Sequence, residues 1–167
     1  DSRAALGKIF LVLGTRTLST GDTASGASYL RTSTLISPAS VDGWSFLAMH
    51  HFLKGEIDSA SAMVDQAIRI APKNHRALIT LGLISDRKGD TTRAEQSFRH
   101  AINVNPSDPQ GYALLSRSLA LRGMRVEALA TIEQAVRANA ITADAVQGMT
   151  DSLPSKQQSS QLLNDTR

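Results

Sequence analysis

The sequence contains no cysteine. Disulfide staples, thiol nucleophiles and cysteine-ligated zinc are therefore outside its chemistry, and both reducing and oxidising compartments stay open. Aromatic residues make up only 4% of the chain. The abundant Ala, Ser, Leu and Thr favour close-packed helices over sheets of aromatic and β-branched side chains. No run of like charge occurs, and 18 basic against 15 acidic residues leave a net charge of only +3. Divided at residues 7–40, 41–74, 75–108 and 109–142, the chain carries +2, −1, +1 and +2. No block concentrates positive charge as a phosphate-binding platform would, so nucleic acid is not an expected partner. The longest apolar run, IFLVL at residues 9–13, falls far short of the roughly 20 residues that span a bilayer, and direct membrane insertion is not expected. No signal-peptide pattern precedes that run. Localisation is left open between periplasm and cytoplasm, with any targeting segment expected outside this sequence.

What the sequence does have is length for a core and a repeating frame. Its 167 residues at 41% apolar content suffice for one domain without covalent staples. Gly21, Gly55, Gly89 and Gly123 recur every 34 residues, as do Pro38, Pro72 and Pro106. Such periodicity marks a repeat architecture. Each unit opens with a large apolar residue (Phe10, Trp44, Leu78, Tyr112), a Leu three places on, and then a small residue (Gly14, Ala48, Gly82, Ser116). Spacings of three and four place these on one helix face, and the small residue lets a neighbouring helix approach. The recurrent Gly ends this first helix. Asp22, Glu56 and Asp90 follow it, where an acidic residue suits the next helix start, while Met124 breaks the pattern. A second helix then runs small, large, small, as in Ala94, Phe98 and Ala101, until the Pro stops it.

In their length and in this order of residues the units resemble tetratricopeptide repeats, most closely in LITLGLISDRKGDTTRAEQSFRHAINVNP of the third unit. The resemblance implies an all-α fold, a right-handed α-solenoid of four helical hairpins at 7–40, 41–74, 75–108 and 109–142. A capping helix at about 143–153 completes a single domain over 1–153, and a polar, partly mobile tail is expected at 154–167. Departures are mild: Gly26 stands where Ala is usual, Thr17, His51 and Ser85 where Tyr is usual, and Ala140 replaces the last Pro. These are expected to weaken single units without breaking the register. IFLVL is apolar all round rather than striped, which suggests that its helix is covered on more than one side.

Chemistry-bearing residues are sparse. His50 and His51 are adjacent, so on a helix they point about 100° apart and cannot share a metal as i, i+4 pairs do. His75 and His100 lack carboxylates at ligand spacing, and neither a nucleophile elbow nor a phosphate-cradling glycine loop is present. No metal, cofactor or catalytic residue is expected. In the family the resemblance points to, first helices line a concave groove. By slot, this groove would present Phe46, Met49, Ile79, Leu83 and Leu114, with Arg76, Arg87 and Arg117 as a basic flank. The carboxylate-clamp version of that groove is not expected, because Leu11, Thr15, Phe46 and Thr80 occupy four of its slots and only Arg76 fits. A non-enzymatic scaffold follows, binding an amphipathic helix or peptide with some acidic residues. Arrays of this kind are similar to bacterial envelope-assembly factors for pili, secretion systems or cytochrome maturation. A self-associating structural unit, hence a homo-oligomer, is the alternative.

Overall fold

The computed structural model describes residues 2–154, and within them every regular element is an α-helix. The tail expected at 154–167 lies, beyond Pro154, outside the described residues. Four antiparallel pairs follow one another: α1 (Ser2–Ser19) with α2 (Thr23–Ile36), α3 (Val41–Leu53) with α4 (Ile57–Ile70), α5 (His75–Arg87) with α6 (Thr91–Val104), and α7 (Pro109–Leu121) with α8 (Arg125–Arg137). A shorter helix, α9 (Ala143–Asp151), succeeds them. The architecture is an all-α solenoid.

Repeated residues make the repeated turns. The four glycines spaced by 34 adopt φ between +77 and +92, a left-handed conformation that a side chain would strain. They let the chain turn so sharply that the N–H groups of Glu56 and Asp90 return to the carbonyls of His51 and Ser85, both at 2.9 Å. Asp22 and Asp90 then cap α2 and α6, accepting hydrogen bonds from the N–H groups of Ser25 and Arg93 at 3.0 Å. Glu56 makes no such cap. Its longer side chain reaches back to His51 Nδ1 at 2.5 Å, and that bond holds its carboxyl below the usual glutamate range. At the other end, α2, α4 and α6 stop at Ser37, Ala71 and Asn105, just before the prolines. The fourth unit lacks that Pro and stops by another device. Asn139 takes φ 55, and the N–H of Ala140 donates to the carbonyl of Ala135 at 2.9 Å, a left-handed C-terminal cap in which Asn does the work of Gly.

Small residues set the spacing within hairpins. A Cβ on Gly82 would collide with the ring of Phe98. In the first hairpin Gly14 and Gly26 are matched, since a Cβ on either would fall 2.7 Å from Leu30 Cγ or Leu18 Cγ respectively. Gly26, read from the sequence as a weakening departure, is thus the seat of Leu18. Ser33 Oγ stitches the same pair by donating to the carbonyl of Gly7 at 2.8 Å. Between hairpins, each first helix packs on the second helix of the preceding unit, and α1 touches α3 as α3 touches α5. No two second helices pack to a comparable extent. That closer approach of first helices joins α1 to α3 and α3 to α5, and α5 and α7 do not share it. The main core joins the third and fourth hairpins and α9 around Phe98, Tyr112, Leu119 and Leu153. A smaller cluster around Val64 and Ile84 links α3, α4 and α5.

Candidate protein-binding groove

The groove expected along the first helices is represented by α3 and α5, which pack on each other and meet through two cation–aromatic contacts. Arg76 of α5 lies with its guanidinium carbon 4.0 Å from the centroid of the Phe46 ring of α3. Farther along the same two helices, Arg87 lies 5.6 Å from the Phe52 ring. Such placement suits the ring's negative face and fixes a side chain that would otherwise be mobile. Arg76 also approaches Asp42 at 3.5 Å, a residue in the same slot one unit earlier. Both partners of that ion pair are about half exposed, so it orients Arg76 more than it stabilises the fold.

The remaining residues expected in the groove divide between surface and core. Met49 is half-buried and Arg117 is exposed. Leu83 and Leu114 are half-buried with one side against the main core, leaving part of each facing outward. Ile79 does not line the groove. It is 1% exposed and belongs to the core, as does Thr80 at 0%. The reason is its packing into the cluster shared by the third and fourth hairpins, and Ser45, in the same slot one unit earlier, is also buried.

Two interactions escaped the sequence reading because they join residues about a repeat apart. His75 Nε2 meets Asp108 Oδ2 at 2.7 Å while its Nδ1 meets the carbonyl oxygen of Ala101 at 3.1 Å. The carboxylate sought near His75 lies 33 residues away. Asp86 of α5 is likewise tied to the next unit, accepting from Ser118 Oγ at 3.0 Å. Burial pushes its carboxyl above the usual aspartate range, against the opposing pull of that hydrogen bond and of Arg117 and Arg122. Among the described residues no group of three or more metal-ligating side chains assembles, and no helix is long and apolar enough to cross a membrane.

Residues 75–108, the hairpin of α5 and α6 that supplies Arg76, Leu83 and Arg87, match the family model of the tetratricopeptide repeat. The third hairpin is a tetratricopeptide repeat. Solved structures extend the likeness along the chain. PilF of Pseudomonas aeruginosa superimposes with a TM-score of 0.79 at 20% identity, covering 90% of this chain and 68% of that one. MamA superimposes with a TM-score of 0.69 at 20% identity, covering 79% of this chain and 77% of its own. An O-GlcNAc transferase of Thermobaculum terrenum, as a K341M mutant, aligns at 0.74 and 19% identity over 82% of this chain but only 27% of that protein. At these identities the likeness is one of fold. No curated protein matches the sequence.

Proposed function

We propose that this chain is a non-enzymatic protein-interaction scaffold that holds an amphipathic helix or extended peptide against the inner face of α3, α5 and α7. The observation that carries the reading is the stacking of Arg76 on Phe46 and of Arg87 on Phe52. These pairs present an aromatic edge with fixed positive charge beside the outward parts of Leu83 and Leu114. A partner segment with a few apolar anchors and acidic residues complements such a surface, and buried anchors would supply most of its affinity. A preformed helical stack leaves the ordering cost chiefly with the partner. The described hairpins and α9 act in this reading as one domain. The likeness to the O-GlcNAc transferase covers 27% of that protein, and its activity is not carried over.

The class of complex served is proposed to be a bacterial envelope assembly, such as a pilus, secretion or cytochrome-maturation apparatus. That part rests on the analogy of small repeat arrays alone. Affinity capture from native extract, with wild type beside a Phe46→Ala, Leu83→Ala double variant, tests the groove. A partner retained by wild type and lost by a still-helical variant, with each single change weakening its binding by about 1–3 kcal/mol, is the expected result. Identical partners on both would remove the groove from the account. Light scattering across concentration separates the scaffold, expected to stay monomeric, from a self-associating unit.

A further inference from the structure

A titratable side chain stands where the next interface in the stack has an apolar one. His50 of α3 is 7% exposed, and no side-chain hydrogen bond joins it to any described residue. One unit on, its slot holds Ile84, which is 2% exposed and packs in one cluster with Val64 and Ala67 of the preceding unit's second helix. In the same register His50 lies in the seam where α3 packs on α2, the joint between the first and second hairpins. A neutral imidazole fills that space much as Ile84 fills its own. An imidazolium does not, because a buried cation needs a counter-charge or hydrogen bonds.

The surroundings supply mostly the wrong charge. The His51 ring stands 5.6 Å from that of His50, edge to face, Lys54 follows at the end of α3, and Arg31 comes from α2. Against these stands Glu56, just before α4, whose carboxylate is already engaged by His51 at 2.5 Å. The helices α1 and α5 also pack on α3 but bring no charge to bear on the ring. Burial first, and then Lys54 and His51, hold the imidazole below the usual histidine range against the pull of Glu56. We propose that His50 is an acid-sensitive joint: neutral, it closes the first hairpin onto the second; protonated, it loosens α1 and α2 from a stack that stays folded elsewhere. The sign follows from the folded state binding its proton less readily than the unfolded chain. Closure is complete above the unfolded value of about 6.5 and weakens as pH falls below it toward the folded one. The joint does not depend on what the groove binds.

Trp44, the only tryptophan of the chain, reports on this joint, because its indole Nε1 donates to the carbonyl of Pro38, in the link between α2 and α3, at 2.9 Å. The full chain is taken from about pH 7.5 to about pH 5.5, a window that brackets histidine titration. Trp44 emission is followed beside hydrogen exchange resolved by peptide and corrected for the intrinsic pH dependence of exchange. Wild type is expected to lose protection about threefold or more across α1 and α2, with a change in Trp44 emission, while α5 to α8 hold. His50→Ile, which copies Ile84, and His50→Gln, which cannot take up a proton, should each remove the response. Lys54→Glu should move it to lower pH, since an added anion favours the imidazolium. Protection of α1 and α2 that ignores pH in wild type, an equal loss across α5 to α8, or a response that persists in both His50 variants overturns the proposal. So does a Lys54→Glu variant that responds at the wild-type pH.

Discussion

At the C-terminal end, α9 lays Val146 and Met149 on the last hairpin, Leu153 follows them into the core, and Asp144, Gln147 and Asp151 face outward. At the N-terminal end, α1 keeps Gly7 and Gly14 turned inward and leaves Ile9, Val12 and Leu13 partly exposed. The buried apolar side chains of the first hairpin are only Ala27 and Leu30, whereas the third and fourth hairpins share a continuous core with α9. A stack in which each unit leans on its neighbours draws stability from interfaces as well as from units. The described C-terminal end carries a helix with a polar outer face, and the described N-terminal hairpin has fewer buried apolar side chains.

The largest effects should come from striking the shared core and the first hairpin in parallel. Phe98→Ala removes a fully buried ring from the shared core and is expected to cost about 3–5 kcal/mol, lowering the main melting transition. Leu30→Ala should instead loosen α1 and α2 while the main transition moves less. A common shift of equal size in both variants would erase the contrast. Gly82→Ala forces a methyl against the immobile Phe98 ring and should destabilise by about 1–3 kcal/mol, despite the higher helix propensity of Ala. Chemical denaturation distinguishes that loss from the gain propensity alone would give.

Smaller effects separate the hairpins by their caps and buried charges. Asp90→Ala should cost about 1 kcal/mol through the lost cap of α6. Glu56→Ala, which removes no cap, should cost less in the same denaturation assay. Smallest is the response of Asp86. Its folded carboxyl titrates above the usual aspartate range, so its contribution to stability is fullest below the unfolded pKa and declines as pH rises through the folded one. Asp86→Asn keeps an acceptor for Ser118 and should melt at the wild-type temperature or slightly higher at neutral pH. That difference should close below about pH 4. A variant markedly less stable at neutral pH would show that the carboxylate charge is needed there.

Much of this was legible because a repeat states its rules several times. The Gly and Pro frame located the hairpins, and the small residues beside each Leu located the close approaches. Surfaces were legible only where one helix sufficed to define them. Phe46 and Arg76 meet because two units stack, and nothing local to either residue announces the other. Ile79 was placed in the groove by its slot alone, whereas its side chain packs into the core shared by the third and fourth hairpins. Gly26 looked like a flaw until Leu18 was found seated on it, and Ala140 looked like a lost stop until Asn139 was found supplying it. The all-apolar IFLVL run suggested a helix covered on more than one side, yet among the described residues Ile9, Val12 and Leu13 stay 54%, 61% and 39% exposed.

Hydrogen exchange resolved along the chain tests the contrast between the two ends most directly, because it reads the opening free energy of each hairpin separately. Amides of α1 and α2 are predicted to exchange well before those of α5 to α8, with α9 holding the C-terminal end at intermediate protection. Uniform protection from α1 to α8, or a first hairpin more protected than the third, would contradict it.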